Sequence, residues 1–187
     1  TSAQTQSAPS TQLAPTTTPT LWGTNVKTYA GDLPVHVDSG RIYMEIPTAY
    51  IGREMLISAQ VNCGFDFNAH PIKSLGVVQI VAPNTETILL KPLKNVAEGE
   101  MIVVKNEADR GIVYPVLGRT KTGAAIIDIT NELLTGKQWF SYQELYTIRE
   151  MVPDLSSLLD VKANNGITQF RIRRYHGQQA EEGNFSS

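Results

Sequence analysis

From residue 33 onward, apolar and polar side chains alternate in short runs, and turn-forming residues separate the runs. Residues 41–46 show this most clearly: Ile42, Met44 and Ile46 point one way, and Arg41, Tyr43 and Glu45 the other. A period of two is that of a strand with one face on a core and one in water. Residues 33–37 form a similar run, and Asp38-Ser39-Gly40 supplies a three-residue connection with a glycine available for positive φ. The two runs are therefore expected to make a hairpin. Pro47 ends the second strand, a short turn through Tyr50-Ile51-Gly52 follows, and 55–61 reads as the next strand. Further strands are expected over 76–82, 85–90, 101–105, 112–117, 124–129 and 167–175. Val77-Val78 and Ile126-Ile127 put apolar side chains on both faces, as in strands covered on both sides.

Helical signals are fewer. Ser141 and Glu144 form a capping box, and Tyr142, Leu145, Ile148 and Met151 recur at three-residue spacing before Pro153. A second short helix is expected from Asp154, carrying Leu155, Leu158 and Leu159 into the core. The pattern as a whole predicts a mainly β domain, α+β in detail. Eight or nine strands would form an antiparallel sandwich or strongly curved sheet with one or two short helices packed on it.

Composition sets the boundaries. Residues 1–20 carry no charged side chain and consist of Ser, Thr, Gln, Ala and Pro around Leu13, which reads as a flexible tether. A single β-rich domain is expected over 21–176, and 177–187 reads as a flexible tail. A chain of 187 residues can build a core without metals or disulfides, and the lone Cys63 has no partner for an internal bridge. Lys+Arg 16 against Asp+Glu 18 gives a net charge of -2, which lacks the electrostatic footprint of a general nucleic-acid binder. No apolar stretch approaches the roughly 18 residues that a transmembrane helix needs.

Candidate chemistry is sparse. His36, His70 and His176 lie far apart, and no pair has the spacing of a helix-borne His-Glu-x-x-His zinc site. The stretch 118–123 is flanked by glycines but lacks the Gly-Lys-Ser/Thr ending of a phosphate loop, so a hairpin turn explains it. Asp66 and His70 share the long irregular segment 62–74, where a carboxylate could orient an imidazole. Trp22, Trp139 and Tyr142 are candidates for stacking on sugars. Arg171 and Arg173 fall on one face of the last strand, with Phe170 and Ile172 on the other. Nothing in the sequence calls for a metal or another cofactor.

Two segments carry a family resemblance. The first runs through Val35-His36-Val37, Asp38-Ser39-Gly40-Arg41-Ile42-Tyr43-Met44-Glu45-Ile46-Pro47 and Ile51-Gly52-Arg53-Glu54-Met55-Leu56-Ile57. The second is Gly123-Ala124-Ala125-Ile126-Ile127-Asp128-Ile129-Thr130-Asn131-Glu132-Leu133-Leu134. Together they resemble the N-terminal, non-catalytic region of large secreted zinc-dependent metalloproteases of Bacteroidetes-type bacteria. The resemblance implies that the zinc-binding helix belongs to a catalytic domain further downstream, so it carries over no catalytic residue. It also implies a secreted, periplasmic or outer-surface location. The expected function is that of a non-catalytic N-terminal domain or fragment with a role in folding, latency or substrate presentation, whose partner is a downstream catalytic domain. Two alternatives are a stand-alone surface or periplasmic binding module for glycan or protein, and a small hydrolase using Asp66 and His70.

Overall fold

The computed structural model describes residues 21–60, 73–93, 111–135, 152–164 and 166–175, with the backbone alone for 73–75. The expected strand 101–105, most of the segment 62–74 and the capping-box helix from Ser141 lie outside the described residues, as does Cys63.

Eleven strands are seen among the described residues, and every pairing between them is antiparallel. The hairpin read from the sequence is present as β2 (Val35–Asp38) and β3 (Arg41–Ile46), with His36 opposite Tyr43 and Asp38 opposite Arg41. Its loop is two residues, not three, because Asp38 itself pairs with Arg41. Ser39 and Gly40 both have positive φ, 50° and 82°, as the tight turn between twisted strands demands.

The first sheet has the order β1-β2-β3-β9-β8, with β1 at Lys27–Tyr29, β8 at Gly118–Arg119 and β9 at Ala125–Asp128. The glycine-flanked stretch is thus the turn between β8 and β9. The second sheet runs β4-β5-β6-β7, from Glu54–Ala59 through Lys73–Asn84 and Thr87–Leu93 to Ile112–Pro115. A separate hairpin joins β10 (Ser157–Asn164) to β11 (Ile167–Arg173). One of the sheets curls strongly into a half-barrel.

Alternation decides what each sheet buries. Val35, Ile42, Met44 and Ile46 of the first sheet join Ile57, Val78, Ile80, Ile88, Leu90 and Ile112 of the second in one apolar cluster. The hairpin adds Val161, with Leu158, Phe170 and Ile172 packed against it. Ile126 and Ile127 are both buried, so β9 is covered on both faces as its sequence predicts. Short helix α1 (Thr130–Thr135) follows β9. Its entry is fixed by Asp128, whose Oδ1 accepts the backbone N–H of Thr130 at 2.9 Å and the Thr130 hydroxyl at 2.5 Å.

The expected helix from Asp154 is not formed. A single 3-10 turn, Pro153–Leu155, leads directly into β10, and Leu155 and Leu159 are exposed at 60% and 45%. Leucines at 155, 158 and 159 suit either a helix stripe or a strand whose alternate side chains face out. Pairing with β11 selects the strand, with a register shift between Leu158 and Asp160. Leu158 then packs on the core while Leu159 faces water.

Candidate functional site

The polar face of the first sheet carries the densest set of interacting polar side chains among the described residues. Register places Thr28, His36, Tyr43 and Asp128 side by side across β1, β2, β3 and β9. Glu45 projects from the same face two residues beyond Tyr43, because successive side chains on a strand alternate. Thr28 Oγ1 lies 2.9 Å from His36 Nδ1, and Glu45 Oε1 lies 2.6 Å from His36 Nε2. A carboxylate only accepts hydrogen bonds, so Nε2 carries the proton, and Nδ1 of the neutral ring accepts from the Thr28 hydroxyl.

Trp22 closes the cluster from above. Its ring stacks on His36 with centroids 4.3 Å apart and planes 20° from parallel, and it meets Tyr43 at 5.7 Å in a tilted arrangement. The segment is held there by Asp38, whose Oδ2 accepts the Gly23 N–H at 2.8 Å. His36 is left only 6% exposed. With both nitrogens bonded and one face covered, the imidazole has no free lone pair for a metal ion. The cluster is built to fasten edge strand β1 and the Trp22 segment to the sheet.

A second polar joint lies beside it. Arg41 pairs with Asp128, and that carboxylate raises the arginine above its ordinary range. Thr130 Oγ1 accepts the Ile42 N–H at 2.8 Å, and the Ile129 N–H donates to the Ile42 carbonyl at 2.9 Å. Strand β3 is thereby tied to the end of β9 and the start of α1.

Two buried groups lie elsewhere. Tyr114, on β7, is 3% exposed, and its hydroxyl has no hydrogen-bond partner among the described residues. Burial, and then the negative charge of Glu132, raises its phenol well above the ordinary value of 10.0. Burial pushes the Arg174 guanidinium down to about 10, while its Nε donates to the Leu133 carbonyl at 2.9 Å at the end of α1.

Of the residues singled out from sequence, Asp66, His70, Trp139 and Tyr142 lie outside the described residues. Trp22 is the lid on His36. Arg171 and Arg173 are exposed on the outer side of β11, opposite Asp160 and Ser157 across the hairpin, with Phe170 and Ile172 turned to the core. No hydrogen bond, ion pair or ring contact joins either arginine to Trp22 among the described residues. Sequence reasoning did not assemble Thr28, His36 and Glu45: a three-residue loop sets His36 opposite Ile42, and only the two-residue loop brings it opposite Tyr43 on the polar face of β3.

Comparison with known families gives a match over residues 20–62 to a domain of unknown function (DUF5118). The matched span contains Trp22, Thr28, His36, Asp38, Tyr43 and Glu45, and so includes every member of the His36 cluster. No curated protein and no solved structure matches the chain.

Proposed function

We propose that this chain is a non-catalytic, N-terminal accessory domain of a secreted metalloprotease-like protein, serving to fold and present the unit that follows it. The observation that carries this reading is the direct pairing of the two segments on which the resemblance rests. They lie some eighty residues apart in sequence, yet Tyr43, Met44, Glu45 and Ile46 of the first pair with Asp128, Ile127, Ile126 and Ala125 of the second. Their polar residues are engaged in joining strands: Arg41 with Asp128, the Ile42 N–H with Thr130, and Glu45 with His36. Motif residues spent on such joints support a scaffold role over a catalytic one.

The experiment is a peptidase assay of the purified chain on an unstructured protein substrate, with zinc added and with a chelator. No cleavage is expected in either condition. Zinc-dependent cleavage that survives repurification would contradict the reading.

A further inference from the structure

The outer face of the second sheet is ordered in rows. Register sets Leu56, Val77 and Leu93 side by side, then Glu54, Gln79 and Lys91, then Val81, Leu89 and Val113. Leu56 and Val113, at opposite corners, are 62% and 64% exposed, and Val77, Leu93, Val81 and Leu89 are half-buried. Two apolar rows therefore reach solvent on either side of a polar row, an arrangement costly to leave in water and common at interaction surfaces.

The polar row identifies the occupant. Across β4, β5 and β6 its side chains run acid, amide, base. Laying a second copy of this face on the first, about a two-fold axis parallel to β5, reverses that order. Glu54 then meets Lys91 of the second copy, Lys91 meets its Glu54, and Gln79 meets Gln79. The row Leu56, Val77, Leu93 falls on its own counterpart, Leu56 against Leu93 and Val77 against Val77, and Val81 meets Val81, whereas Val113 on β7 falls outside the overlap. An axis perpendicular to the strands would set Glu54 against Glu54 and Lys91 against Lys91, which like-charge repulsion disfavours. We propose that the chain forms a face-to-face homodimer through the outer surface of β4 to β6, with its register set by two symmetric Glu54–Lys91 pairs. Aligned sheets pack about 10 Å apart, a gap these long side chains can span.

Size sets the strength. Three overlapping strands about 4.8 Å apart give a face roughly 15 Å by 20 Å, or about 300 Å² per copy. That is well under half of what a standard stable interface contributes per partner, so the dimer is weak and concentration-dependent, with Kd on the order of 100 µM.

Sedimentation velocity on the 187-residue chain, from about 5 µM to about 500 µM, reads the association across that Kd. The wild-type chain should shift from monomer to dimer. Leu56→Asp should remain monomeric, whereas Val113→Asp, outside the overlap, should still dimerise; both positions are exposed, and both variants are checked for retained fold by circular dichroism. Glu54→Lys and Lys91→Glu should each raise Kd about tenfold, and the double reversal should restore it. A wild-type chain that stays monomeric overturns the proposal and leaves the face to another occupant, such as the remainder of a longer polypeptide. Dimers insensitive to Leu56→Asp, or single reversals that the double reversal does not rescue, overturn it as well.

Discussion

Gly111 shows how much one backbone position can decide. Its φ of +88° is in the left-handed region, and a Cβ there would lie 2.4 Å from the Leu90 carbonyl oxygen. Gly111→Ala thus combines left-handed strain of ~1–2 kcal/mol with a forced shift of β6. A loss of about 3 kcal/mol is expected by urea denaturation. His36→Ala removes two hydrogen bonds and the Trp22 stack, and leaves Glu45 without its partner, so a loss of roughly 2–3 kcal/mol is expected in the same assay. Tyr114→Phe should cost far less at neutral pH, within about 1 kcal/mol of the wild type, because the buried hydroxyl lies near Glu132 without a well-formed hydrogen bond. Its phenol is raised in the folded state, so above pH 10 the unfolded chain loses that proton first and stability falls. Arg174 is lowered by burial in the folded state, an opposite tendency that wild type and variant share. Denaturation series between about pH 8 and pH 11 should therefore show a smaller alkaline loss in Tyr114→Phe than in the wild type, with Arg174 common to both.

Among the elements, the joint between β3, β9 and α1 separates a buried contribution from a surface one. Asp128 holds the Thr130 N–H and hydroxyl and also meets Arg41, whose side chain is 62% exposed. Asp128→Ala should cost roughly 1–2 kcal/mol, the value of a cap, whereas Arg41→Ala should cost ~0.5 kcal/mol, the value of an exposed ion pair. Equal losses in thermal or chemical unfolding would show the ion pair to matter more than its exposure allows. This joint was legible in part: the β2–β3 hairpin follows from alternation and Asp38-Ser39-Gly40, whereas the contact with Asp128 and Thr130 comes from the pairing of β3 with β9. Other elements were not. β1 and β8 have three and two residues, too few to show a period, and exist because longer strands offer them an edge. The Leu155, Leu158 and Leu159 spacing fitted helix and strand alike until pairing with β11 chose. The His36 cluster escaped notice for a similar reason. Its members come from β1, β2, β3 and the segment before β1, and no local spacing announces that Trp22 lands on His36.

At the scale of the molecule, the first sheet is fastened on its polar face by the Trp22–His36–Glu45 cluster, and the second presents two apolar rows to solvent. The fold class follows from alternation alone, since strands joined by short turns pair antiparallel. Function was less legible because the joints are made by ordinary strand residues in cross-strand positions, and they resemble no catalytic spacing. We propose that the domain supports the remainder of a longer secreted protein. The most direct measurement is the size of the native polypeptide in its source cells, by immunoblot of cell-associated and culture fractions with an antibody raised against this chain. A band several times larger than the 187-residue chain, enriched outside the cytoplasm, is expected. A band at the size of the 187-residue chain in every fraction would contradict it.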